Sequence, residues 1–113
     1  MAPGDLYLAN FPFGGSPGMK LRPVLLLTPP IGPVPELLVA YISSVIPTPL
    51  LPSDLVLDPK RPEHASTRLK VTSVLRQHKL ATIHGRSIAR RLGNISATTG
   101  TDVANKLRAL LRI

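Results

Sequence analysis

The chain has 113 residues, with 14 lysines and arginines against 6 acidic residues and a net charge of +8. That length suits one domain, 1–113, with a modest core, and 43% hydrophobic residues exclude a disordered chain despite 13 prolines. With no cysteine, disulfides and thiolate metal sites are excluded, and a reducing, cytoplasmic setting is expected. No apolar run approaches the ~18 residues of a membrane span, and the N-terminus, with Asp5 and no basic start, does not read as a signal peptide. No membrane partner is therefore expected. The charge points to a polyanion or an acidic protein partner, with a merely solvated basic surface as the plain alternative.

Residues 5–11 alternate as a first strand, with Leu6, Leu8 and Asn10 on one face and Tyr7, Ala9 and Phe11 on the other. Phe13-Gly14-Gly15-Ser16-Pro17-Gly18 breaks it as a glycine-rich loop. This loop lacks the Gly-Lys-Ser/Thr ending of a nucleotide-binding loop. Arg22 to Leu27 is almost wholly apolar after its first residue and predicts a buried strand. A proline-rich loop, 29–35, separates it from a third strand over Leu37 to Val45. Asp54 to Asp58 predicts a short fourth strand, which flanking prolines confine to an edge or a bend.

Lys60 to Thr67 is polar and reads as exposed. Val71 to Lys79 predicts a fifth strand, followed by Leu80-Ala81-Thr82-Ile83 and a turn at His84-Gly85. Ser87 to Leu92 predicts a short helix closed by Gly93. A last helix is expected with Thr101 as N-cap and Asp102 in its first turn, its stripe of Val103, Leu107, Leu110 and Leu111 covering a barrel end or a subunit seam. Short strands punctuated by proline, with little helix, predict a small, mainly β barrel with added α.

Arg22 opens a buried strand, where an arginine is costly unless an anionic or polar partner awaits it. Its planar fork suits phosphate oxygens; the alternative is a structural arginine bonding loop carbonyls. Ser43 and Ser44 close the third strand. A period of two sends them to opposite faces, so only one can serve a given site, and both also read as turn chemistry. Arg76 and His78 are two apart and share a face if their strand stays extended. A cation beside an imidazole lowers its proton affinity and favours a neutral base, while the bland reading is a solvated edge.

Cutting RNA without a metal needs a base for the 2′-hydroxyl, cations for the phosphorane charge, an acid for the leaving oxygen and hydrogen bonds that align the phosphate. Arg22, one of Ser43 and Ser44, Arg76 and His78 are candidates for these tasks. Ser16, Lys20, Ser44, Lys79 and Arg86 are candidate RNA contacts. Arg90 and Arg91 add backbone contacts near the expected short helix, though each singly also reads as solvated. His84, in a turn, and His64, in a polar loop, read as bystanders. The histidines lack ligand spacing, so neither metal nor cofactor is expected. Aromatic residues are scarce, so ring stacking is not the main binding mode.

In order and spacing, Gly4-Asp5 before the first strand, Arg22-Pro23-Val24, Ile42-Ser43-Ser44, and Ser73-Val74-Leu75-Arg76 leading into Leu80-Ala81-Thr82-Ile83 resemble the MazF/PemK toxins from Gly4 to the C-terminal helix. The resemblance implies an SH3-like, or plasmid-maintenance-toxin, barrel with a C-terminal helix. It further implies a homodimer that cleaves single-stranded RNA without a metal and is restrained by a small antitoxin, here expected to be acidic. It matches Arg22 to an arginine acting on the scissile phosphate, Ser43 to a position usually threonine, and Arg76 to an acid or electrostatic stabiliser. At His78 some relatives carry aspartate, and their Gly-His/Ser-Glu-Gln loop is replaced by Gly15-Ser16-Pro17-Gly18. Two other functions fit a related barrel: poisoning of a topoisomerase without chemistry, and RNA binding without cleavage.

Overall fold

Strands β1 (Asp5–Phe11), β2 (Lys20–Leu26), β3 (Glu36–Ser43), β4 (Asp54–Leu57), β5 (Ser73–His84) and β6 (Ile88–Asn94) precede one helix, α1 (Ala97–Leu111). The computed structural model describes residues 1–11 and 20–113. The expected loop carrying Ser16 falls in 12–19, outside the described residues. The strands form one antiparallel sheet in the order β4-β5-β3-β2-β1-β6.

Alternation in β1 fills both faces of this sheet. Tyr7, Ala9 and Phe11 join Val24, Leu26, Leu37 and Val39 in one buried cluster. Leu6 joins Leu25, Ala40, Ile42, Leu57 and Leu75 in the other, which α1 covers through Val103. The apolar run of β2 is thus explained by burial on both sides.

The edges are bridged by a 3-10 turn, Pro62–Thr67, that follows β4 and rests on β6. Ser66 Oγ donates to the Asn94 carbonyl at 2.8 Å. A Cβ on Gly93 would overlap the carbonyl oxygens of Ser66 and Thr67, so this backbone approach requires glycine.

Several expected elements change in the folded chain. The helix expected over Ser87 to Leu92 is a 3-10 turn, Gly85–Ser87, followed by β6. Ile88 and Leu92 are four apart like a helical pair, but in β6, with its register shifts against β1, they pack on opposite faces of the sheet, Ile88 against the cluster of Tyr7 and Leu92 against that of Leu6. Helix α1 begins at Ala97, with Ser96 as N-cap accepting from the Thr99 amide at 3.2 Å. Thr101 instead lies within the helix and bonds the Ala97 carbonyl, because Gly100 is accommodated as a helical residue rather than breaking the turn. Of the expected stripe, Val103 is buried and Leu110 and Leu111 are exposed. The fifth strand and the segment after it form one continuous β5.

Candidate functional site

The β2–β3 ladder stops at Val24 and Tyr41, although β2 runs on to Lys20 beside β1 and β3 runs on to Ser43 beside β5. Pro23 has no amide to extend the ladder, and the two strands part. A cavity of about 470 Å³ occupies the opening, within the range of sites that hold small molecules.

Arg22 and Pro23 line it from β2, and Ser43 and Ser44 from the end of β3. Arg22 is exposed, as suits a cation waiting for an external anion. The expectation that only one serine can reach a given site does not hold. β3 ends at Ser43, and the following bend frees Ser44 from strand alternation, so both line the cavity. Ser43 Oγ accepts from the Val45 amide at 3.1 Å, which fixes the hydroxyl and shapes the bend.

The opposite wall was only partly foreseen. Arg68 and Lys70 enter from the segment between the 3-10 turn and β5, and Arg90 enters from β6. Arg68 has a left-handed backbone (φ 56°), with its amide bonded to the Ala65 carbonyl. Arg90 and Arg91 sit side by side on β6. Arg91 Nη2 donates to Asp5 at 3.1 Å, leaving Arg90 to the cavity. Among the described residues no carboxylate pairs with Arg22, Arg68, Lys70 or Arg90. Leu8, Ile42, Leu69 and Leu92 give the cavity apolar surface. Among the described residues no acidic, histidine or cysteine side chain lines it. The whole suits an anion with an apolar body.

Arg76 and His78 stand elsewhere. Tyr41 opposes Arg76 while Ala40 opposes Leu80, so Gln77, His78 and Lys79 are extra residues in β5. The strand is therefore not regularly extended between Arg76 and His78, the condition on which a shared face was expected; Gln77 is buried, His78 is exposed, and neither Arg76 nor His78 is among the residues that line the cavity. Arg76 Nε instead donates to buried Asp54 at 3.1 Å. Asp54 also accepts from the Leu51 amide at 2.8 Å, tying β4 and the loop before it to β5.

Of the expected RNA contacts, Lys20 is exposed at the start of β2. Lys79 lies 5.5 Å from the centre of the Tyr41 ring, which stacks on Phe11 and lines the cavity. Arg86 Nε donates to His84 Nδ1 at 3.2 Å, a local contact within the turn. No cluster of three or more potential metal ligands occurs among the described residues.

The barrel is shared with solved toxins. It matches Mycobacterium tuberculosis toxin MazF-mt6 with a TM-score of 0.74 at 20% identity, covering 96% of this chain and 97% of that one. A mycobacterial endoribonuclease in complex with its cognate antitoxin matches with a TM-score of 0.71 at 12% identity, covering 100% and 96%. MazF from Deinococcus radiodurans matches with a TM-score of 0.66 at 21% identity, covering 99% and 96%. No curated protein sequence matches the chain. At such identities the structures establish the fold. Sequence goes further, because residues 2–111 fit the description "PemK-like, MazF-like toxin of type II toxin-antitoxin system". The chain therefore belongs to the PemK-like, MazF-like toxins of type II toxin–antitoxin systems, a family of endoribonucleases.

Proposed function

We propose that this toxin cleaves single-stranded RNA at the cavity between β2 and β3, using the substrate's own 2′-hydroxyl and no metal. The observation that carries this reading is that Arg22 and Ser43 line one cavity together with further cations and, among the described residues, no acidic side chain. A cationic wall without carboxylates repels a divalent cation and attracts a phosphodiester.

Arg22 neutralises charge as it builds on the phosphorus, and Ser43 orients a phosphate oxygen. The 2′-oxygen attacks phosphorus as its proton leaves to solvent. The bond to the 5′-oxygen breaks, and that oxygen takes up a proton. The products are a 2′,3′-cyclic phosphate and a 5′-hydroxyl. Incubating the purified protein with a long single-stranded RNA in EDTA, and typing the ends, tests this. Cyclic phosphate and 5′-hydroxyl ends are expected. Intact RNA, or cutting that appears only on adding a divalent cation, would overturn it.

Two partners belong to the same reading. A second copy of the chain would cover exposed Val45, Ile46 and Leu50 on the loop between β3 and β4. An acidic antitoxin segment would order as it covers the basic cavity. Support for the latter comes from the antitoxin-bound mycobacterial endoribonuclease and from the MazE–MazF complex of Deinococcus radiodurans among the structural relatives.

A further inference from the structure

The two sides of the cavity differ in what they offer. Arg22 stands with Ser43 and Ser44 where β2 and β3 diverge, whereas Arg68, Lys70 and Arg90 come from the segment before β5 and from β6. A ribonucleotide has two parts that need different hosts, a phosphate and a base. If Arg22 takes the phosphate, as in the function proposed above, the base meets the apolar surface of Leu8, Leu69 and Leu92 and the edge lined by the other cations.

That edge is one-sided in its hydrogen bonding. Guanidinium and ammonium groups donate and cannot accept. Of the lining hydroxyls, those of Tyr41, Ser43 and Ser44 stand on β3 and the bend after it, with Arg22, while Ser73 Oγ, which donates to the Val71 carbonyl at 3.0 Å and is left only to accept, is buried. Among the described residues no Asp, Glu, Asn or Gln lines the cavity. On the edge that carries C5 of a pyrimidine or N7 of a purine, cytosine and adenine present an exocyclic amino group where uracil and guanine present a carbonyl oxygen and no N–H. An amino group is ordinarily recognised by a carboxylate or a side-chain amide, and a keto oxygen by Arg or Lys. In a partly buried cavity, an amino group facing cations would go unpaired, and such losses discriminate strongly.

We infer that this cavity is a base-selecting subsite that admits a keto base, uracil or guanine, and rejects cytosine and adenine, with Arg68, Lys70 and Arg90 as the specificity-determining residues. The inference rests on the RNA-cleavage reading for its substrate, but binding can be measured without cleavage. Single-stranded hexamers of deoxyuridine, deoxycytidine, deoxyinosine and deoxyadenosine lack the 2′-hydroxyl and serve as uncleavable probes. Inosine and adenine differ at the purine edge by keto against amino, and uracil and cytosine differ likewise.

In fluorescence anisotropy with the full chain, the keto members should bind tighter than their amino counterparts by on the order of tenfold. The double replacement Arg68→Gln with Lys70→Gln introduces side-chain acceptors and should collapse that ratio. Arg90→Gln, on a different element, provides a second variant should the first fail to fold. Equal binding of the four probes, tighter binding of the amino bases, or no binding of any probe would overturn the inference. If RNA is cut while the probes show no keto preference, the subsite fails and the cleavage reading stands. If the keto preference appears and RNA stays intact, cleavage fails and the subsite stands.

Discussion

Arg22 and Arg76 are both arginines on strands of one sheet, yet their surroundings assign them different work. Arg76 is engaged by buried Asp54, whereas Arg22 lines the cavity with no carboxylate partner among the described residues. Arg22→Ala should slow RNA cleavage by on the order of 10²–10³, as loss of an oxyanion donor does elsewhere. Ser43→Ala should cost less if, as proposed, that hydroxyl only orients phosphate. His78 is exposed on the β5 bulge and off the cavity, so His78→Ala should leave the pH profile of cleavage unchanged. A shifted limb in that profile would return the imidazole to the reaction.

Asp5, at the junction of β1 and β6, carries a pH dependence of its own. Burial pushes its carboxyl up, but hydrogen bonds from the Ala2 amide, Arg91 and Tyr7 outweigh burial and hold it below its ordinary value. A depressed carboxyl stabilises the fold above the ordinary carboxylate range, and that stabilisation is lost as pH falls through the folded value. Because Arg91 is half-exposed, the contribution is no more than about 1 kcal/mol. Thermal melts should therefore separate wild type from Asp5→Asn at pH 7 and bring them together near pH 2.

That Arg22 and Ser43 would meet at one opening was legible because strand ends and turn chemistry are local; both line the cavity. Arg68 and Lys70 were not legible, since a short basic stretch outside any strand reads as solvated until the 3-10 turn folds it against β6.

At the level of elements, the site depends on two strands parting and on what holds their outer neighbours. The Arg76–Asp54 pair links β5 to β4, and Lys106 of α1 donates to the Pro52 carbonyl at 3.1 Å, bracing the loop between β3 and β4 from the helix side. Asp54→Ala leaves Arg76 without its carboxylate partner and the Leu51 amide without its acceptor. Loss of a buried pair of this kind costs about 3 kcal/mol, and chemical denaturation should show it.

Apolar patterning exposed β1 to β4 in the sequence, because each buries alternate or continuous apolar residues at ordinary strand length. β6 was hidden because the four-residue spacing of Ile88 and Leu92 fits a helix as well as a strand. The β5 bulge was equally silent, since it arises from pairing with β3 rather than from its own residues. The start of α1 was missed by one turn, because Gly100 resembles a boundary and lies inside the helix.

On the scale of the whole molecule, a charge of +8 on 113 residues gives a positive field that should steer both RNA and an acidic antitoxin segment. Stopped-flow association with the cognate antitoxin should slow markedly as salt rises. A rate indifferent to salt would remove steering from the account. Sedimentation of the free toxin at micromolar concentration should give the proposed dimer, and a monomer there would contradict it. Fold class was legible at this scale from proline punctuation, short strands and one late amphipathic stretch. The cavity was not, because it forms where strands distant in sequence diverge.

Cleavage at the cavity holding Arg22 and Ser43, as proposed, turns on one oxygen, the substrate's 2′-hydroxyl. The most direct measurement uses an RNA whose cleavage site has been mapped, resynthesised with one 2′-deoxynucleotide at the scissile position. It should bind wild-type protein about as tightly as the all-ribose RNA and remain uncut in EDTA, while the all-ribose RNA is cleaved. Efficient cutting of the deoxy-substituted strand at the same position would contradict the account.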